Sequence, residues 1–381
     1  MRSNVLNGVR VPRLLHTADW QIGRYFGQFE PEGAVPLAEA RLQVVQTIGA
    51  LATERQVAAV LVAGDVFDAQ GLADKTLRRL FHAISSFPGP WIVIPGNHDA
   101  ALAEGAWRRA LQLGMVPPNV TAVLEPGVVP FPDLGFVVLA APLTQRHTYA
   151  DVTQWFGETP TGAGLARIGL AHGAVGDILP SEVDSANPIA PDRAVRAGLD
   201  YLALGDWHGT YRVNERTWYS GAPEPDRFKN NDAGNVLIVE VFPGAFPEVT
   251  PVRTAQFNWS QIQSDLSMPT DVDVFVANLA AVTACDVVDI EVTGRTDLRG
   301  MKRAREALAQ AEATARASRL DMSGLRLAPT EADIAELKAD GYVGDVLQQL
   351  RAEQDGDSEG VSALALRILA ETLLDTVGPA P

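Results

Sequence analysis

Five short apolar runs along this chain each end in a polar cluster, and that series constrains the fold more than any other feature. Leu14-Leu15 leads to Asp19-Trp20-Gln21, and Ala59-Val60-Leu61-Val62 leads to Gly64-Asp65-Val66-Phe67-Asp68. Trp91-Ile92-Val93-Ile94 precedes Gly96-Asn97-His98-Asp99, Ile168-Gly169-Leu170 precedes His172-Gly173, and Tyr201-Leu202-Ala203-Leu204 precedes Gly205-Asp206-Trp207-His208. Short apolar runs bounded by turn residues read as strands. Ligands of α/β proteins gather in loops at the carboxyl ends of such strands. Taken singly, Asp19 is a turn or cap residue, and His172 or His208 is more often structural than a ligand. Five clusters in series, all carrying Asp, Asn, His or Gln, predict one metal site assembled from distant segments.

Between these runs the pattern turns helical. Leu37, Ala40, Val44, Ile48 and Leu51 predict a helix over 36–55, with further helices over 72–87 and 103–113. Strand-like runs follow at 135–140, 166–171, 200–204, 217–220 and 235–242. Strand–helix alternation followed by closely spaced strands suits two packed sheets with helices outside. Pro243, Pro247, Pro251 and Pro269 mark 243–270 as a linker or irregular wrap. Beyond it the sequence predicts a strand through Val288, Ile290 and Val292, a helix over 299–320, a strand at 324–328, and helices near 330–352 and 361–376. Length alone favours two domains, and the expected division is 1–250 and 251–381.

The polar clusters resemble the calcineurin-like metallophosphoesterases, whose pattern runs D-x-H, G-D-x-x-D, G-N-H-D/E, a lone His before Gly, and G-H-x-H. "LLHTADWQIGR", "LALGDWHG" and "YSGAPEPDRF" resemble the DNA-repair nuclease branch typified by SbcD, and "VTGRTDLRG" and "DIAELKADGYVGDVLQQLRA" resemble its accessory region. The resemblance implies an α/β fold, a four-layer αββα metallophosphoesterase sandwich with a smaller C-terminal α/β accessory (cap) domain. It implies two divalent ions bridged by Asp65. One would be held by Asp19, Asp65, His208 and Gln21, the other by Asp65, Asn97, His172 and Asp206. Asp65 and His98 then carry the catalysis, with His98 beside the leaving oxygen, and Asp68 and Asp99 orient the ligands. Gln21 and Asp206 depart from the pattern, where histidine is usual. They make the donor set oxygen-rich, which suits Mn²⁺ or Mg²⁺ better than Zn²⁺. His16, His82 and His147 lie outside the pattern and read as structural.

The substrate class is less constrained, because one fold serves many phosphoesters. The branch resemblance and the C-terminal domain favour a Mn-dependent DNA exonuclease or endonuclease of repair, with Arg24, Arg212, Arg227 and Lys229 facing phosphates. The alternatives are a phosphodiesterase on small molecules and a degenerate DNA-binding scaffold. The net charge of -16 excludes a protein that holds nucleic acid by bulk electrostatics. It leaves room for a local arginine cluster. The resemblance also implies an SMC-like ABC ATPase partner (SbcC-like), for which the apolar run 361–376 offers a surface, and it allows a homodimer. Lone Cys285 rules out a disulfide within the chain and reads as a buried small hydrophobe. No signal peptide or membrane span is legible, so a cytoplasmic location is expected.

Overall fold

Strand–helix alternation in the first part of the chain builds a layered α/β structure. The computed structural model describes residues 5–6, 9–176, 187–328, 330, 333 and 342–354, with scattered positions between 361 and 372. The chain forms two units, one of Met1–Gly27 with Ala34–Asn258, the other of Gln28–Gly33 with Trp259–Pro381.

In the first unit, β1 (Arg13–Thr17), α1 (Pro31–Glu54, which begins in the other unit's short segment), β2 (Ala59–Ala63), α2 (Asp74–Ile84), β3 (Trp91–Ile94), α3 (Ala106–Gln112) and β4 (Val120–Ala122) alternate in sequence. They are followed by β5 (Gly127–Phe131), β6 (Phe136–Ala141), β7 (Ala166–His172), β8 (Tyr201–Gly205), β9 (Tyr211–Arg212), β10 (Thr217–Tyr219), β11 (Asn235–Glu240) and β12 (Glu248–Arg253). One sheet has the order β12-β11-β1-β2-β3-β4 and the other β9-β10-β8-β7-β6-β5, six strands each. The pairs β1–β2, β2–β3, β6–β7 and β7–β8 are parallel.

Period-two alternation sorts the apolar side chains into layers. Ala59, Leu61, Ile92 and Ile94 face the second sheet, where Val138, Ile168, Leu170 and Tyr201 meet them. Val60, Val62, Trp91 and Val93 face the other way, onto Val45 and Ile48 of α1, Leu77 and Phe81 of α2, and Trp107 of α3. Beyond the second sheet, Leu139, Leu202 and Leu204 pack on Phe156 and on Ala194 of the short helix Arg193–Arg196. The result is a four-layer αββα sandwich. The central strands of each sheet are covered on both faces, which is why they read as continuous apolar runs. Each fully buried Leu, Ile or Val contributes about 1.5–3 kcal/mol.

In the second unit, β13 (Asn258–Leu266, its first residue in the other unit), β14 (Asp286–Thr296) and β15 (Ala317–Leu327) form a sheet. It packs with α4 (Pro269–Ala280) and α5 (Leu298–Thr314) around Phe275, Val288, Ile290, Met301 and Leu308. A further helix, α6, spans Tyr342–Gln354.

Four sequence expectations change here. The proline-rich stretch 243–270 carries strands β12 and β13 and is not irregular, because Pro251 sits on edge strand β12, where a missing N–H is tolerated. The helix expected over 299–320 stops at Thr314, and the strand expected at 324–328 begins at Ala317, because β15 pairs in parallel with β14. Arg316 N–H donates to Asp286 O (2.8 Å) just before that ladder. Cys285 is exposed, in the turn between α4 and β14, beside the exposed Thr283 whose N–H donates to Asp286. Most of 330–341 and of 361–376, including the proposed partner surface, lies outside the described residues. No helix among the described residues is long and apolar enough to cross a membrane.

Candidate metal centre

The five predicted clusters emerge from the ends of β1, β2, β3, β7 and β8. Beyond β1 and β2 the backbone continues to pair: Asp19 N–H donates to Gly64 O (3.1 Å), Gln21 N–H to Asp65 O (2.8 Å), and Ile22 N–H to Val66 O (2.8 Å). This extended pairing holds the Asp19 and Asp65 loops side by side. Asp19, Gln21, Asp65 and Asp206 all adopt positive φ (56°, 44°, 53° and 107°), where L residues are strained. Four such residues at one site are the kind of local cost that a surrounding fold sustains at functional positions. Gly96 is required sterically, since a Cβ there would lie 2.2 Å from Asp65 Oδ1.

One half of the site is rich in carboxylate. Asp19, Asp65 and His172 are buried, and one ligand atom from each lies within 4.8 Å of the others. His172 Nδ1–H donates to Ala63 O (2.8 Å), which turns Nε2 toward Asn97 Oδ1 (3.2 Å), Asp65 Oδ1 (3.6 Å) and Asp206 Oδ1 (3.7 Å). Asp206 N–H in turn donates to Asp19 Oδ1 (3.1 Å). Burial raises the Asp19 carboxyl to about 7; His208 and His172 pull it down, and Asp65 and Asp206 push it up. Burial disfavours a charged His172, but Asp65, Asp206 and Asp19 overcome it and raise the imidazole to about 9. The same carboxylates that hold this proton would hold a cation in its place.

The other half is organised differently. Arg24 Nη1 donates to Gln21 Oε1 (2.7 Å). Gln21 Nε2 lies 3.2 Å from His208 Nε2, and His208 Nδ1–H donates to Asp226 Oδ1 (3.0 Å). Asp226, whose side chain is 1% exposed, also pairs with Arg227 Nη2 (3.0 Å) and Arg24 Nη2 (3.3 Å). Although burial opposes it, the charges and hydrogen bonds of His208, Arg41 and Arg227 hold the Asp226 carboxyl well below the usual range. Arg227 Nη2 lies 3.0 Å from His208 Nδ1.

Around these halves sit the remaining predicted residues. His98 N–H donates to Asp65 Oδ1 (2.9 Å), His98 Nδ1–H donates to Asp68 O (2.9 Å), and Nε2 stands 4.0 Å from Asp65 Oδ2. Asp68 thus orients His98 through its backbone carbonyl, while its carboxylate lies 3.5 Å from Arg24. The Asp99 carboxylate is occupied by backbone and indole donors. It accepts from Gly96 N, Val66 N, Phe67 N and Trp107 Nε1, clamping the β2 and β3 loops together. Arg212 stands apart, exposed over Trp218 and paired with Glu215, and Lys229 is exposed. His16 is buried between Tyr201 OH and Leu204 O, and burial lowers it to about 3, so it is a neutral core histidine.

Sequence reasoning missed Asp226 and Arg41. Buried Arg41 of α1 donates to Trp20 O (2.8 Å), Asp19 O (3.2 Å) and Glu224 O (3.0 Å), fixing the first cluster against the 224–226 loop. Asp226 lies in the run PEPDRF, beside the basic residue Arg227.

The donor set fits a divalent cation. Three carboxylates, an imidazole nitrogen and an amide oxygen converge, and buried Asp206 Oδ2 has no hydrogen-bond partner among the described residues. A family model described as calcineurin-like phosphoesterase matches residues 12–239. The chain is 26% identical over 268 residues to the D component of nuclease SbcCD from Bacillus subtilis (strain 168), covering 61% of this chain and 67% of that one. It is 38% identical over 94 residues to the protein of the same name from Rhodobacter capsulatus, covering 23% of this chain and 22% of that one. A crystal structure of TT1561 of Thermus thermophilus aligns over 64% of this chain and 99% of its own, with TM-score 0.41 and 12% identity. With the family match spanning more than half of its length, and with strand-end carboxylates, amide and imidazole converging on one point, the chain belongs to the calcineurin-like phosphoesterase family.

Proposed function

We propose that the chain is a divalent-cation-dependent phosphodiesterase acting on DNA, with Mn²⁺ or Mg²⁺ held by Asp19, Asp65, Asn97, His172 and Asp206. The observation that carries this reading is the buried cluster of acids around His172 Nε2, with one Asp206 oxygen left unsatisfied among the described residues. A bound divalent cation supplies Lewis acidity for a phosphoryl group and for the attacking water. The hard, oxygen-rich donors favour Mn²⁺ or Mg²⁺ over Zn²⁺.

The chain's own residues supply the rest. Donation of Nδ1–H to Asp68 O fixes the His98 tautomer, so Nε2 is the atom that takes or gives a proton, on the side facing Asp65. In that position it serves as the acid for the leaving oxygen. Arg24 and Arg227 are the cations beside this centre and fit the non-bridging oxygens of a phosphodiester. Arg212 and Lys229 extend the same role to phosphates farther along the strand.

Similarity to proteins named as components of a nuclease supports a nucleic acid as substrate, and the resemblance of the sequence motifs to the DNA-repair branch supports DNA and repair. That same motif resemblance is what supports an SMC-like ATPase as partner. In this reading the first unit catalyses, and the second is an accessory domain.

The test offers end-labelled linear duplex, circular single-stranded DNA and a chromogenic phosphodiester to the purified chain with Mn²⁺. DNA cleavage that stops with chelator and with His98→Ala is the expected result. Hydrolysis of the small diester with all DNA intact would replace the nuclease reading by a small-molecule phosphodiesterase.

A further inference from the structure

The family resemblance implies two cations, but only one half of this centre is built to receive one. We infer that the site binds a single divalent cation, and that Gln21, Arg24 and Arg227 fill the place of the second. This inference rests on the metal-centre reading above and concerns how that centre is divided.

The orientation of Gln21 follows from its neighbours. Arg24 is a donor only, so the amide atom 2.7 Å from its Nη1 must be the acceptor Oε1. The amide nitrogen therefore faces His208. Because His208 Nδ1–H is spent on Asp226, the neutral imidazole has its lone pair on Nε2, where the Gln21 N–H 3.2 Å away occupies it. That lone pair is what a metal-binding histidine would offer. Gln21 thus contributes neither of the roles its position implies. Its oxygen serves Arg24, and its nitrogen blocks the imidazole.

Electrostatics divides the halves in the same way. Asp19, Asp65 and Asp206 surround His172, and Asp206 Oδ2 is buried without a partner among the described residues. On the other side one buried carboxylate, Asp226, is shared by two guanidinium groups and an imidazole. Arg24 has a second acid, Asp68, at 3.5 Å. A divalent ion beside His208 would meet these guanidinium groups at close range. An exposed fraction remains on both, 25% for the Arg24 side chain and 40% for Arg227, which leaves them open to an anionic ligand. Asp206, which replaces a neutral imidazole, adds negative charge to the half that keeps its cation.

The test counts ions. Wild-type protein is saturated with Mn²⁺, and bound metal is measured by calorimetry and elemental analysis, with electron paramagnetic resonance reporting isolated or spin-coupled ions. The same measurements are made on Gln21→His combined with Arg24→Ala. One ion per chain and an uncoupled spectrum are expected for the wild type, and two coupled ions for the double variant. Two ions in the wild type would overturn the inference and leave the metal centre standing. No ion in the wild type would overturn the metal-centre reading itself. One ion in both proteins, with the variant's circular dichroism unchanged, would overturn the assignment of the amide and guanidinium groups as what excludes the second.

Discussion

At the scale of single residues, the centre is a competition between protons and cations. Asp19 keeps its proton to about 7 against an ordinary 3.8, so its ionisation opposes folding of the cation-free protein increasingly as pH rises through that interval. His172 keeps its proton to about 9 against 6.5, so the stabilisation its charge lends is complete below 6.5 and lost as pH rises through 9. Both trends lower the cation-free melting temperature between about pH 6 and 9, and both make cation binding release protons. Melting curves across this range with and without Mn²⁺ should diverge upward in pH. A stabilisation by Mn²⁺ that shrinks with rising pH would contradict the assignment of these two groups. The clusters that converge here were legible in the sequence, because each follows an apolar run within a few residues, while the roles of their side chains came only from the family resemblance. Asp226 was not, since a single acid in a proline-rich run has no such spacing to reveal it. The orientation of Gln21 was equally hidden, because it depends on Arg24 and His208 meeting in space.

At the scale of elements, the loops after β2 and β3 behave as one piece because Asp99 accepts from both. Burial, then Asp65, raises the Asp99 carboxyl to about 6, and N–H donors from Gly96, Trp107 and Phe67 work against that rise. Replacing Trp107 with Phe keeps the ring against Phe67 and Phe81 but removes one donor to a buried acid. Such a loss costs about 1–3 kcal/mol. The expected outcome is a urea midpoint lowered accordingly and weaker Mn²⁺ binding; an unchanged midpoint would show that the clamp does not bear on the fold. Elements also show where local sequence misleads. Alanine and arginine through 299–320 favour helix, yet the ladder from Val287↔Ala317 to Thr296↔Leu327 claims the last part of that span for a strand. Pairing with a distant strand leaves no trace in local propensity.

At the scale of the whole molecule, a chain of net charge -16 cannot rely on its general surface to bind DNA. On the proposed function, attraction for DNA would come from a bound cation and from the arginines beside it, at the strand ends where the sequence clusters converge. The two-sheet architecture was predictable because the central strands of each sheet are covered on both faces and are apolar throughout. The division of the cation positions was not, since it turns on hydrogen bonds among groups far apart in the chain. The most direct test titrates Mn²⁺ against the rate of DNA cleavage for wild type and Asp65→Asn, an exchange that keeps the shape of the side chain and removes its charge. Saturable, Mn²⁺-dependent cleavage by the wild type and a loss of roughly a hundredfold or more in the variant are expected, since even groups that only orient a metal ligand matter ~10–100-fold. Cleavage by Asp65→Asn at the wild-type rate, or a wild-type rate indifferent to Mn²⁺, would contradict the proposed function.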